Sequence, residues 1–296
     1  MTKSINISVI IPAYNAASFI GNAIQSIQKQ TYVPIEIIVV DDGSTDDTAQ
    51  VVARLALSSF FPIRILQQSN SGPAAARNYG AREAIGDWLS FLDADDTFLP
   101  EKLEKQIQYT HDPNVGLIHC GIESRPIPTE ELITFERLWQ CNEIANSTVL
   151  IRRTAFEQLG GYDEDRALIS VEDYNLWLRL VRDWKIVTCP YPLIRYTPAP
   201  GNLSSQVERF SNAEFANIFK IKDKFNLDER YYEYKKSSIY KQYGEIFFFN
   251  RNFKMARLYL SKSFRYNFSF ANFVKFLITF LPGGIFRMMR ESFLRK

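Results

Sequence analysis

The chain has 296 residues, 46% of them hydrophobic, which suits one large domain or one domain with an appendage. The net charge of +2 hides a split: residues 1–219 carry 18 Lys+Arg against 27 Asp+Glu, and residues 220–296 carry 17 against 6. That balance of −9 and +11 implies two jobs, so we expect a first domain over residues 1–205 and a helical, basic and aromatic region over residues 206–296, with no nucleic acid as partner.

The first hundred residues alternate strand and helix signals. Ile7–Ile11 reads as a buried strand. Ser18 is placed to cap a helix whose apolar face is Ile20, Ala23, Ile24 and Ile27, at i, i+3, i+4 and i+7. Glu36–Val40 is a β-branched strand, and Ser44-Thr45-Asp46-Asp47 supplies caps for a helix through Val51, Val52 and Leu55. Ile63–Leu66 is a short strand; Pro73 opens a helix to about Ile85, stopped by Gly86; Trp88–Leu92 is the fourth strand; Pro100 opens a helix with Leu103 and Ile107. Further strands are read at Val115–His119, Thr148–Ile151, Lys185–Cys189 and Leu193–Tyr196. Helices are read at Thr154–Leu159 and Glu172–Arg182, and the chain turns helical beyond Asn202. Ser124–Asn146 carries no pattern that translates into structure.

This βαβα order predicts an α/β fold, a mostly parallel central sheet flanked by helices with a helical C-terminal appendage. In such sheets ligands bind beyond the carboxyl ends of the strands. Three unusual segments fall there: Pro12-Ala13-Tyr14-Asn15, Asp41-Asp42-Gly43 and Asp93-Ala94-Asp95-Asp96. Carboxylates at the ends of buried strands are poorly explained by folding alone, and oxygen ligands suit Mg²⁺ or Mn²⁺.

Each segment has a chemical and a purely structural reading. Asp93 and Asp95 can hold a cation bridging two phosphates, or form a solvated loop before the helix at Pro100. Asp42 can accept the imide N–H of a nucleobase and Tyr14 can stack on that base; the alternative for Asp42-Gly43-Ser44 is a turn and helix cap. Arg77 can reach a phosphate as a charged fork, or make a surface salt bridge. Glu172-Asp173 offers a general base to take the proton of an attacking hydroxyl, or is a helix-start charge cluster. Gly160-Gly161 before it can let backbone approach a substrate. His119 reads as a packed core histidine and His111 as a surface residue. There is no GxxxxGK[ST], GxGxxG or HExxH.

Taken together, SVIIPAYNAASFIGNAIQSIQKQTY, EIIVVDDGSTDDT, SGPAAARNYGAREAIGDWLSFLDADD, LGGYDE and VEDYNLWLRL resemble the family-2 glycosyltransferases, over roughly residues 6–205. The resemblance implies the type A glycosyltransferase fold and inverting, metal-dependent transfer of a sugar from a nucleotide-diphosphate donor, UDP-sugar favoured, to a saccharide or lipid-linked hydroxyl, in cell-surface polysaccharide or glycolipid synthesis. It implies that Asp42 contacts the base, Tyr14 stacks on it, Asp93 lies near the ribose, Asp95 holds Mn²⁺ or Mg²⁺ on the diphosphate, and Asp173 is the catalytic base. With Pro12, Ala13 and Arg77, these complete the candidate site. One departure is visible: Thr197 and Ala199 stand where many relatives have Arg and His, leaving diphosphate charge to Arg77, Arg195 or the basic tail. A sugar nucleotidyltransferase would need a glycine-rich loop with Arg and Lys after the first strand, which IPAYNAAS lacks. A non-catalytic binding module would be expected to lose Asp95 or Asp173, and both are present. A receiver domain of the response-regulator kind also has an early acidic pair but is much shorter.

Three cysteines, Cys120, Cys141 and Cys189, are an odd number without CxxC spacing, which argues for a reducing compartment. The N-terminus shows no signal-peptide pattern. The longest apolar candidate, Phe268 to Leu281, is broken by Asn272 and Lys275 and falls short of the ~20 residues a span needs. The expected location is the cytoplasm, with attachment to the inner membrane face through the basic C-terminal region, where Phe273, Phe276, Leu277 and Phe280 share helical spacing. The competing reading packs those rings on the catalytic core.

Overall fold

The computed structural model describes residues 4–125, 127, 132–197, 206–266 and 268–280. It divides into two compact units, Met1–Asn202 and Leu203–Lys296.

The first unit begins β1 (Ile7–Ala13), α1 (Ile20–Gln28), β2 (Glu36–Asp41), α2 (Thr48–Leu57), β3 (Ile63–Gln67), α3 (Pro73–Glu83) and β4 (Trp88–Phe91). It continues β5 (Thr97–Phe98), α4 (Lys102–Ile107), β6 (Val115–Ile122), β7 (Leu132–Ile133), α5 (Phe135–Gln140), β8 (Leu150–Arg152), α6 (Arg153–Gln158), α7 (Glu172–Leu180) and β9 (Lys185–Arg195). The sheet order is β3-β2-β1-β4-β8-β6-β9-β5, with β7 also paired to β9. β1 to β4 are mutually parallel, and β6 and β9 run with them; β5, β7 and β8 run against them. The mostly parallel sheet expected from the sequence is therefore present. Its order reverses between β1 and β4, the kind of switch point where open α/β sheets bind ligands.

The strands follow from their apolar runs. Ile7, Val9 and Ile11 share one core cluster with Ile20, Ala23, Ile24 and Ile27 of α1. Ile10 lies against Gly80 of α3 on the other face, as period-two alternation requires. Each such side chain is fully buried, worth about 1.5–3 kcal/mol. His119 is buried in β6 with Nε2 2.9 Å from Thr188 Oγ1, and burial lowers it to about 4; it is the neutral core histidine expected.

Several boundaries differ from expectation for local reasons. Ser18 does not cap α1, whose N-cap position is Phe19 with no side-chain cap. The preceding N–H groups of Ala16 and Ala17 are bound instead by Thr48 Oγ1 and Asp46 Oδ2. α3 stops at Glu83 because Ala84 is extended and Ile85 N donates to Glu36 Oε1. The two strands read at 185–189 and 193–196 are one strand, β9: its pairing with β6 jumps from Cys120↔Cys189 to Gly121↔Pro192, so the prolines sit in a bulge. β5, β7 and α5 carried no sequence signal long enough to read; Thr134 caps α5 by accepting from Arg137 N.

The second unit is helical: α8 (Val207–Phe225), α9 (Glu229–Phe249), α10 (Phe253–Ser263) and α11 (Phe270–Ile278). Asn226 in the left-handed region ends α8, Asp228 caps α9 and Asn252 caps α10. α9 and α10 approach closely where Gly244 meets Leu260, and Tyr240, Phe247 and Tyr259 pack edge-on between them. No helix among the described residues is long and apolar enough to cross a membrane.

Candidate active site

Pairing of Pro12 with Val40 and of Ala13 with Asp41 carries the chain out of the sheet beside β2. Asn15 then turns at φ +49°, and its amide group and backbone bind Thr45 N and Ser44 Oγ. This lacing holds the loop down and leaves Tyr14 53% exposed at the switch point, a ring with an open face.

Asp42 is buried, and three donors converge on it. Gln68 Nε2 and Ser71 N donate to Oδ1 at 2.7 and 2.8 Å, and Gly72 N donates to Oδ2 at 2.8 Å. Gly72 is the N-cap of α3, so Asp42 ties down the segment that leads into that helix and does not cap the one after its own turn. A carboxylate has roughly four acceptor directions. The set above leaves Oδ2 able to take one more N–H.

After β4 the acidic turn is built from inside. Asp93 N donates to Ser147 Oγ, and Ser147 Oγ–H donates to Asp96 Oδ2 at 2.6 Å. Asp96 is buried, and burial together with the Asp93 and Asp95 charges pushes it up to about 7. Thr197, singled out above as a departure, gives its backbone N–H to Asp96 Oδ1. Ala199 and the rest of Pro198–Ser204 lie outside the described residues. Arg195 is paired with Glu123 at 2.7 Å.

Asp93 Oδ1 accepts from Arg77 Nη2 at 2.7 Å and from Asn146 Nδ2 at 3.2 Å. Arg77 Nη1 donates to Glu172 Oε1 at 2.7 Å. The salt bridge considered for Arg77 exists, but Arg77 and Glu172 are buried while Asp93 stays partly open, and it joins carboxylates from the turn after β4 and from α7. Asp173, beside Glu172 in the first turn of α7, keeps part of its surface open. Desolvation of its carboxyl and the Glu172 charge push it up to about 8, against the Tyr174 N–H and Arg77, which favour the ionised form.

Sequence reading missed the support beneath these groups. Tyr162 O–H donates to Asn146 Oδ1, Asn78 Nδ2 donates to Tyr162 O, and Tyr162 N donates to Asn78 Oδ1. Asn78 follows Arg77 by one residue and Tyr162 lies inside LGGYDE, so position in those segments was the available signal. Asn146 and Ser147 adjoin the stretch without pattern and offered none.

Gly161 differs from its expected role. It packs inward: an added Cβ would lie 2.5 Å from Asn78 Oδ1 and 3.1 Å from the Phe156 ring, while one at Gly160 meets nothing, and both have φ +73°. Gly160→Ala should therefore cost only the left-handed strain, about 1–2 kcal/mol. Gly161→Ala adds overpacking, for a total of about 2–4 kcal/mol. Equal urea midpoints for the two variants would refute this account.

Among the described residues no three His, Cys, Asp or Glu side chains form a ready cation cage. Small hard cations are commonly held by one or two carboxylates and completed by phosphate oxygens of the ligand. The crowded carboxylates at 93, 95 and 96, with Asp96 raised by burial and by the Asp93 and Asp95 charges, are the side chains here that could hold such an ion.

The family model described as glycosyl transferase family 2 matches residues 8–174, and the model described as glycosyltransferase like family 2 matches residues 127–265. An uncharacterized glycosyltransferase of Haemophilus influenzae is 35% identical over 191 residues, 60% of this chain and 62% of that protein. The Escherichia coli protein UDP-Glc:alpha-D-GlcNAc-diphosphoundecaprenol beta-1,3-glucosyltransferase WfgD is 30% identical over 211 residues, 67% of this chain and 79% of that one. Among solved structures, S. aureus TarS 1–349 gives a TM-score of 0.64 at 20% identity, covering 88% of this chain and 80% of TarS 1–349. The mannosyltransferase PcManGT of Pyrobaculum calidifontis, in complex with GDP-Man and Mn²⁺, gives 0.67 at 19% identity, covering 92% and 79%.

Proposed function

The chain belongs to glycosyl transferase family 2 with the type A glycosyltransferase fold, and on that premise we propose that it moves a sugar from a nucleotide-diphosphate donor to an acceptor hydroxyl with inversion. The observation that carries this reading is the Arg77 bridge. It brings Asp93, on the proposed donor side, together with the helix start that bears Asp173.

Tyr14 stacks on the nucleobase and the remaining acceptor direction of Asp42 takes its ring N–H, a donor that uracil, thymine and guanine offer and adenine and cytosine lack. Pro12 and Ala13 shape the backbone beneath it, and Asp93 lies at the ribose. Asp95 would hold a divalent cation, Mn²⁺ or Mg²⁺, which when bound would supply Lewis-acid neutralisation of the diphosphate. Asp173 takes the acceptor proton as the hydroxyl oxygen attacks the anomeric carbon. The bond from that carbon to the diphosphate oxygen breaks in the same displacement, and the electron pair leaves with the nucleoside diphosphate. A base raised to about 8 is poised for this work near neutral pH. UDP and UDP-GlcNAc complexes of TarS and the UDP-Glc donor of WfgD support a UDP-sugar; the diphosphoundecaprenol-linked acceptor of WfgD supports a lipid-linked sugar, hence a role in surface polysaccharide or glycolipid synthesis. The test is nucleoside diphosphate release from a panel of nucleotide sugars, with and without Mn²⁺ and a polyprenyl-diphosphate sugar. No nucleoside diphosphate from the panel, with pyrophosphate released when a nucleoside triphosphate and a sugar 1-phosphate are supplied, would indicate a nucleotidyltransferase.

We also propose that α11 meets an anionic membrane surface. The expected face is corrected by the structure: Phe273 and Phe276 pack on Phe264 within the second unit. Phe270, Val274 and Leu277 are instead exposed along one side of α11, at i, i+4 and i+7, with Phe268 and Phe280 exposed beside them. Phe286, like all of residues 281–296, lies outside the described residues. Residues 246–290 contain Arg251, Lys254, Arg257, Lys262, Arg265, Lys275, Arg287 and Arg290 and no Asp or Glu. An apolar face in a wholly basic stretch matches a negatively charged lipid surface, at about 1 kcal/mol per nearby cation. Vesicles rich in phosphatidylglycerol should float the protein in low salt and phosphatidylcholine vesicles should not. Phe270→Glu with Leu277→Glu should abolish flotation; salt-independent flotation of that double variant would refute the surface.

A further inference from the structure

Arg77 reads from sequence as a phosphate ligand, yet its fork is occupied. Both Nη atoms make 2.7 Å bonds to carboxylates on separate segments, Glu172 at the start of α7 and Asp93 after β4. The side chain is 6% exposed, and its guanidinium lies 5.5 Å from the Tyr162 ring centroid. Its Nε is buried and finds no acceptor among the described residues. Turning to a phosphate would break a charge-assisted pair and strand a buried Glu172.

We infer that Arg77 is a positioning residue: it clamps Asp93 to Glu172 and so fixes where Asp173 stands relative to the sugar being transferred. The inference rests on the transferase reading for the roles of Asp93 and Asp173. The clamp is braced at both ends. Glu172 Oε2 accepts from Ser170 N at 2.7 Å, and Ser170 is held at φ +90°, a conformation a non-glycine residue keeps only when its surroundings impose it. Asp93 is tied through Asn146 and Tyr162 to Asn78, the residue after Arg77, which closes a ring of hydrogen bonds on α3. The charged groups that face Asp173 are Glu172, Arg77 and Asp93, with the Tyr162 hydroxyl among them. A point-charge ammonium cannot span two carboxylates as a planar fork does. A misplacement of about 1 Å at a reacting centre costs on the order of 100-fold.

Arg77→Lys separates the roles. A clamp predicts kcat down about 100-fold, in line with that misplacement cost. It also predicts UDP affinity with Mn²⁺ within about threefold by calorimetry, roughly the spread expected of single contacts, and a kcat/KM limb moved to higher pH. A tenfold or larger loss of UDP affinity with the limb unmoved would make Arg77 a phosphate ligand and overturn the inference, as would unchanged kcat. Glu172→Gln removes the like charge beside Asp173 and should lower kcat while moving the limb to lower pH; it decides the matter if Arg77→Lys does not fold. If the parent protein releases no nucleoside diphosphate from any donor, the transferase reading fails. The clamp is then read from the ¹³C carboxyl titration of Asp173, identified by its loss in Asp173→Asn. A titration identical in parent, Arg77→Lys and Glu172→Gln would overturn it.

Discussion

Asp173→Asn should lower turnover by about 10³, within the 10²–10⁴ typical of a lost general base. The amide keeps the side chain's size and cannot take a proton. Nucleoside diphosphate affinity should stay near that of the parent, because the carboxylate is assigned to the acceptor hydroxyl. The pH dependence adds an independent signature. Desolvation and Glu172 raise Asp173 from the ordinary 3.8 to about 8, so the catalytically competent, ionised form is the minor one at pH 7, roughly one molecule in ten. The parent's kcat/KM should rise about tenfold per pH unit and level off near pH 8, and the residual activity of Asp173→Asn should lack that limb. A limb near pH 4 would show that the measured base is another group. A large loss of nucleotide affinity would move Asp173 into the donor site or the fold.

The parallel half of the sheet was legible because β1, β2 and β4 are apolar runs and β3 a short Ile-rich one. α1 and α2 show apolar residues at helical spacing, and α3 is marked by Pro73 at its start and Gly86 beyond its end. The strand ends carrying Tyr14, Asp42 and Asp93–Asp96 followed from that pattern. The antiparallel part was legible only in pieces: β5 and β7 are two residues long and were not read, and β8 was read as a strand at Thr148–Ile151 but without its place between β4 and β6. Such pairing is decided by tertiary packing, which no local window contains. The same limit applies to the site. Asp42 looks like a local cap in sequence, yet its donors come from Gln68, Ser71 and Gly72. Arg77 looks like an exposed helix-start cation, yet Glu172 lies 95 residues away in sequence. Residue type announces the chemistry; partners brought together over long separations decide which group is spent on structure and which is left to act.

Asp95→Asn should cut transfer below a tenth of the parent rate at saturating Mn²⁺, a barrier increase of more than about 1.4 kcal/mol. It should also abolish the gain in UDP affinity that Mn²⁺ gives the parent, which calorimetry reads without any turnover. Stability supplies a third readout with the opposite sign. Burial, then Asp93, then Asp95 hold Asp96 up to about 7, above its ordinary 3.8. A carboxyl raised on folding stabilises the native state fully below the unfolded value, and that contribution is lost as pH rises to the folded one. Asp96 should therefore contribute a falling melting temperature between about pH 4 and 7, against the opposite contribution of the buried neutral His119. Its share is read as the difference between metal-free parent and Asp95→Asn over that window, and added Mn²⁺ should raise the parent at pH 7. Removing the Asp95 charge relieves the crowding, so metal-free Asp95→Asn should melt at or above the parent at pH 7 and gain nothing from Mn²⁺. If Asp95→Asn keeps the Mn²⁺-induced rise in melting temperature, the cation is held elsewhere and Asp95 is not its ligand.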